Sequence, residues 1–170
     1  MSRNWTTRAE SSADIPAIRE INLAAFPTSA EADLVDALRA DPAAWIEGLS
    51  LVAVDESGRP VAHALLTRCH VDDTPALCLA PCAVLPERQR TGAGSAAVRA
   101  ALAAARALGE RHVVVLGHPD YYPRFGFTRA RDHGIRVTID VPDEALMALG
   151  LDAGHPLPSG TVHYAAPFGI

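Results

Sequence analysis

One stretch constrains the fold more than any other. Between Leu77 and Leu116 an apolar strand runs into a polar loop, LPERQRT, two close glycines follow at Gly92 and Gly94, and an alanine-rich helix leads to a second strand. From about Thr91 to Leu108 the side chains of Val98, Leu102, Ala105 and Leu108 share one helical face, and Gly109 stands where a helix ends. His112 to Leu116 is a short continuous apolar run, as in a strand buried on both faces. A strand, a helix and a strand in this order form a right-handed crossover, which sets two neighbouring strands parallel. Pro81 interrupts the first of them; a proline cannot donate to a ladder, so an edge, a bulge or a splayed position is expected there.

The rest of the chain surrounds this unit. Trp5 to Arg8 reads as a first strand, IPAIREINLAAF as a helix broken by Pro27, and EADLVDALRAD as a second helix ending before Pro42. LSLVAVDE and VAHALLTRCHV flank a Ser-Gly turn and read as an antiparallel hairpin, so the sheet is mixed. Thr128 and Ile135 to Val141 suggest strands, PDEALMALG a brief helix, and GTVHYAAPF a last strand. At 170 residues, with neither repeats nor linkers, one domain spanning 1–170 is expected.

Composition removes several functions. A net charge of −5 argues against nucleic acid, which is held through clustered basic residues. All 15 basic residues are arginine, so neither a P-loop lysine nor Schiff-base chemistry is available. Cys69, Cys78 and Cys82 have no second pair at zinc spacing; no metal is expected, and the thiols fit a reducing compartment. The N-terminal residues lack the apolar core of a signal peptide, and no apolar run approaches the ~20 residues of a membrane span. A cytoplasmic protein with no membrane partner is expected.

Glycines at the mouth of a helix leave backbone N–H groups free for an anion. The P-loop pattern fails on spacing and on lysine. The Rossmann pattern is matched by Gly92-Ala93-Gly94-Ser95-Ala96-Ala97, but its glycines directly follow the strand, whereas LPERQRT intervenes here, and VVVLGH ends without an acidic residue. The third reading joins Gln89-Arg90-Thr91-Gly92-Ala93-Gly94, of the form Q-x-x-G-x-G, to the preceding AVLP and the later YYPRFGF. This combination resembles the Gcn5-related N-acetyltransferase (GNAT) superfamily, and the order of elements resembles that fold over nearly the whole chain. The implied fold is α+β: a mixed twisted sheet of about seven strands, helices on both faces, and a splayed central strand pair.

The resemblance implies that the anion is the pyrophosphate of acetyl-CoA, the co-substrate, held by Gln89, Arg90, Thr91, Gly92, Ala93, Gly94 and Ser95. Gly92 and Gly94 let the backbone approach without a Cβ in the way. Where family members often have Gly-Lys, this chain has Arg90-Thr91, leaving Arg90 to face a ribose phosphate or solvent. Cys82, Ala83 and Val84 fall where the family's strand pairs with the pantetheine arm. Tyr122 matches the tyrosine of the family's Y-x-x-x-G-F and becomes the candidate general acid for the departing thiolate; it also counts among the coenzyme-binding residues, and Tyr121 is its competitor. The strand lacks the glutamate that some members use as a base, which leaves His118, in LGHPD, as candidate base, with Asp120, Glu31 and Asp33 as groups that could attract a cationic acceptor. The activity implied is N-acyl transfer to a primary amine of a small molecule or protein by direct attack. A non-catalytic acyl-CoA sensor is the alternative, and a homodimer is left open.

Overall fold

A computed structural model describes residues 5–170. In chain order the elements are strand β1 (Thr6–Ala9), helices α1 (Ile15–Ala25) and α2 (Ala30–Arg39), strands β2 (Ser50–Val54), β3 (Pro60–Val71) and β4 (Thr74–Val84), helix α3 (Ala93–Ala107), and strands β5 (His112–Leu116), β6 (Thr128–Arg129), β7 (Ile135–Arg136), β8 (Leu146–Gly150) and β9 (Gly160–His163). The main sheet runs β1-β2-β3-β4-β5-β8-β6, while β9 bridges the far end of β3 to β7. Two of these strands, β6 and β7, are only two residues long, and they carry the sheet beyond the expected count.

Helix α3 packs Ala97, Val98, Ala101, Leu102 and Ala105 against one face of the sheet, with Leu51, Ala53, Leu66, Leu77 and Val113 beneath. The opposite face of β2 and β3 buries Val52, Val54 and Leu65 against Ile18 of α1 and Val35 and Leu38 of α2. The alternation of β2 assigns each side chain to one face or the other. Helix α3 starts two residues later than the pattern suggests. Gly92 has a φ of +87°, a left-handed conformation that ends the helical ladder and makes it the N-cap. Gly109, at φ +80°, closes the other end, its N–H donating to Arg106 O at 3.0 Å.

The segment Leu146–Gly150 corrects the sequence reading. Expected as part of a brief helix, it is strand β8, paired antiparallel with β5 in the register Val113↔Leu149 and Val114↔Ala148. Leu, Met and Ala favour helix locally, but an unpaired edge on the buried β5 offers more than propensity does. Ile135 to Val141 is strand only over its first two residues.

A buried polar chain ties the first helices to the sheet. His63 of β3 sits 2.9 Å by its Nε2 from Ser50 Oγ, and Ser50 bonds to Glu10, whose carboxylate takes two bonds from Arg39 at 2.9 and 3.2 Å. On the other side Asn22 Nδ2 lies 3.4 Å from His63 Nδ1 and donates to Ile18 O at 3.0 Å. With Ser50 donating to Glu10, the imidazole donates from Nε2 and accepts at Nδ1, so the neutral ring satisfies every contact.

Burial, helped by the Arg39 charge, pushes the His63 imidazole down to about 3. The unfolded chain takes up this proton below ~6.5 and the folded chain does not until about 3, so stability falls as pH drops through that window, by at most about 1.4 kcal/mol per pH unit. Buried His112 is shifted in the same direction by burial and adds to the slope. Asp14, held down to about 2 by Arg8, acts only lower, where stability is lost as pH falls below its ordinary range. Urea melts at pH 4.5, 5.5 and 7 should show a clearly shallower slope for His63→Gln than for the wild type; equal slopes would remove His63 as the cause.

Candidate active site

The β3–β4 ladder changes register at Pro81. Leu66 pairs with Leu79 and Ala64 with Cys82, so Ala80 and Pro81 together face Leu65. Past this bulge one edge of Cys82, Ala83 and Val84 pairs with Ala64, His63 and Ala62. The other edge is open, because β4 meets β5 only at Leu77↔Val113 and Cys78↔Val114 before the two strands part. The central pair is therefore splayed, and β4 presents unpaired backbone groups to the gap. Such an edge accepts an extended ligand as it would another strand.

At the end of β4 the chain turns through Pro86–Arg88 and a loop into α3. Arg90 (φ +62°) and Gly92 both adopt left-handed backbone. Thr91 turns inward, its Oγ1 donating to Arg88 O at 2.5 Å while its carbonyl accepts from Trp5 Nε1 at 3.0 Å. No side chain caps α3, and among the described residues no acceptor takes the N–H groups of Ala93, Gly94 and Ser95; the first one satisfied is that of Ala96, by Gly92 O at 2.9 Å. Three free donors thus point along the positive end of a 15-residue helix.

The open strand edge and this helix start face one cleft of about 550 Å³. It is lined by Cys82, Ala83, Val84, Gln89, Arg90, Gly92, Ala93, Gly94 and Ser95, nine of the residues expected from the sequence, together with Ala25, Phe26, Arg88, Tyr121 and Arg124. Thr91 and Tyr122 do not line it. Ala25 and Phe26 end α1 and carry no motif that could have marked them; Arg124 lies inside YYPRFGF, where the aromatic residues drew the reading away from it.

The two tyrosines take different places. Tyr121 faces the cleft, its hydroxyl 2.9 Å from Ser95 Oγ. Tyr122 packs its ring on Phe127 edge-on at 5.9 Å and so close to Gly117 that a Cβ there would lie 2.4 Å from its Cε2. Its hydroxyl faces the Cys82 thiol. Burial, reinforced by the facing thiol, raises the Tyr122 phenol well above the ordinary tyrosine range. Burial also pushes the Cys82 thiol up to about 12, against the opposing pull of the nearby Tyr122 hydroxyl. Both groups are therefore protonated at neutral pH, and Cys82 is a poor nucleophile.

His118 is not brought into this cleft. It is exposed in a second one of about 390 Å³, with Leu116, Gly117, Val141 and Glu144. Asp33 is tied to Arg19 at 2.9 Å, and Asp120 and Glu31 line neither cleft. Among the described residues no group of His, Cys, Asp and Glu is placed to hold a metal ion, and no helix is long and apolar enough to cross a membrane.

Known proteins resemble this chain. Escherichia coli K12 YjhQ, called an uncharacterized N-acetyltransferase, is 40% identical over 146 residues, 83% of this chain and 80% of its own. Its YhbS, described in the same way, is 33% identical over 131 residues, 76% of this chain and 77% of its own. The crystal structure of Escherichia coli YhbS in complex with CoA superposes with a TM-score of 0.88 at 27% identity, covering 100% of this chain and 94% of that one. A Brucella melitensis GNAT acetyltransferase in complex with acetyl-CoA gives 0.78 at 31% identity, over 97% and 98%. Residues 15–127, from the start of α1 through the glycine loop to Phe127, match the acetyltransferase (GNAT) family, and with the splayed strands and free helix start already described, the chain belongs to that family.

Proposed function

We propose that this acetyltransferase binds acetyl-CoA in the 550 Å³ cleft and passes its acetyl group to a primary amine, of a small molecule or of a protein, by direct attack. The observation that carries the reading is the coincidence of three unsatisfied N–H donors at the start of α3 with the open edge of Cys82–Val84 in one cleft. The first suits a pyrophosphate and the second an extended pantetheine arm. Gln89 to Ser95 hold the phosphates, and Cys82, Ala83 and Val84 hold the arm.

In the reaction the amine nitrogen attacks the thioester carbonyl, the C–S bond breaks, and the sulfur leaves as a thiolate that needs a proton. Tyr122 is the donor: it stays outside the cleft lining, but its hydroxyl stands beside Cys82, which does line it. The protonated Cys82 thiol does not serve as an acyl relay, which favours direct attack over a covalent intermediate. The amine must also lose a proton, and no His, Asp or Glu lines the cleft. His118 is the group to test as base, since Gly117 adjoins both its cleft and the Tyr122 ring. Three free cysteines fit a reducing compartment such as the cytoplasm.

Calorimetric titration should show acetyl-CoA binding with no comparable signal from NAD or ATP. A panel of amines, followed by release of free coenzyme thiol, should then find at least one acceptor. Absence of acetyl-CoA binding would overturn the assignment. Binding without transfer to any amine would make the protein a sensor of acyl-CoA.

A further inference from the structure

The cleft is cationic in an acidic protein. Arg88, Arg90 and Arg124 line it, no carboxylate does, and the chain as a whole carries −5. Arg88 faces Asp55 at 3.8 Å. Arg90 sits in the loop beside the start of α3. Arg124 comes from the short helix Tyr122–Phe125, which packs beside α3.

Its geometry is that of a prepared anion ligand. The guanidinium stacks over the Tyr121 ring at 4.4 Å, and its Nε donates to Tyr121 O at 2.8 Å. Tyr121 is in turn held by Ser95, at the start of α3. Ring and backbone bond hold the side chain in place, so less rotamer freedom is left to lose on binding. The two terminal nitrogens have no acid partner among the described residues, although the side chain is exposed and the chain is rich in carboxylates. Next to it Arg99 of α3 stacks over Phe125 at 5.0 Å, likewise without a carboxylate. An arginine held over an aromatic ring, with its terminal nitrogens free of acids at a cleft, suits a bidentate phosphate monoester.

We infer that Arg124 binds the 3′-phosphate of the coenzyme and makes the enzyme selective for acetyl-CoA over acetyl-3′-dephospho-CoA, with Arg99 adding to the local positive field. This rests on the coenzyme reading of the cleft. The pyrophosphate is already served by the donors of α3 and the loop, so the separate phosphate monoester, which carries nearly two charges at neutral pH, is the group left for this exposed cation one ring away from them.

The test is a cycle of two ligands and two proteins, titrated calorimetrically at low and at moderate salt. Wild type should bind acetyl-CoA ~10- to 100-fold more tightly than the dephospho analogue, the range of one charge-assisted pair, and added salt should shrink the gap. Arg124→Gln should bind both ligands alike, at the wild-type affinity for the dephospho analogue, with an unchanged circular dichroism spectrum. A wild type without preference, or an Arg124→Gln variant that keeps it, would overturn the inference while leaving the coenzyme site intact. Equal weakening of both ligands in the variant would also overturn it, by showing that Arg124 serves only to place Tyr121. Failure of wild type to bind either ligand would sink the coenzyme reading itself.

Discussion

Gly94→Val is expected to abolish measurable acetyl-CoA binding, a loss of at least ~100-fold, or about 2.7 kcal/mol. A Cβ built on Gly94 lies 2.7 Å from Val84 Cγ2 and 3.9 Å from the Tyr121 hydroxyl, so even a methyl group enters the space between the strand edge and the helix start. Valine adds two further carbons over the donors proposed to hold the pyrophosphate. The packing cost is of the order of 1–3 kcal/mol, so the variant should fold but melt earlier. Calorimetry reports the binding and a thermal melt the stability. The double variant Gly94→Val with Val84→Ala separates the two effects, because it relieves the clash and leaves the cleft filled. Binding restored in the double variant would mean that disturbed packing, not occupation of the phosphate site, caused the loss. Normal binding in the single variant would remove the glycine loop as the coenzyme site. Gly92 behaves differently: apart from Trp5 Nε1 at 4.0 Å nothing is near its Cβ position, so Gly92→Ala acts through its φ of +87°, costing about 1–2 kcal/mol of strain.

Tyr122→Phe is expected to lower kcat at least ~10-fold with little change in acetyl-CoA affinity. The substitution keeps the ring against Phe127 and Gly117 and removes only the hydroxyl beside Cys82. A buried phenol with a raised pKa gives up its proton reluctantly, so the contribution proposed for it is a hydrogen bond that strengthens as thiolate charge develops, with transfer completing as the sulfur departs. Tyr121→Phe, which loses the Ser95 contact, should raise KM more than it lowers kcat. The measurement is steady-state thiol release with the best amine found. If Tyr121→Phe proved the crippled variant instead, the acid would be the residue that faces the cleft; if both turned over normally, water would protonate the thiolate.

Much of the fold was legible because its determinants are local. The crossover from β4 through α3 to β5 follows from apolar runs of the right length and period, and the ends of α3 from glycines at Gly92 and Gly109. Nine of the cleft residues come from contiguous segments on either side of one turn, so a motif could gather them. What the sequence hid is assembled over distance. Strand β8 forms from helix-favouring residues because β5 leaves an edge to be covered. Ala25 and Phe26 reach the cleft only because α1 packs across the sheet, and His118, one turn from Tyr122 in sequence, opens into another cleft.

By itself the sequence determined the chemistry available: a glycine-led helix start with N–H donors to spare, a tyrosine near it, and a cationic side-chain set without lysine. Those follow from residue type and spacing, which are properties of a few consecutive positions. Tertiary structure alone decided where β4 and β5 part, which of two adjacent tyrosines faces the cleft and which is buried on Cys82, and that Arg124 keeps its guanidinium free of acids. Each is set by contacts between segments tens of residues apart, and sequence spacing holds no record of the distances between them.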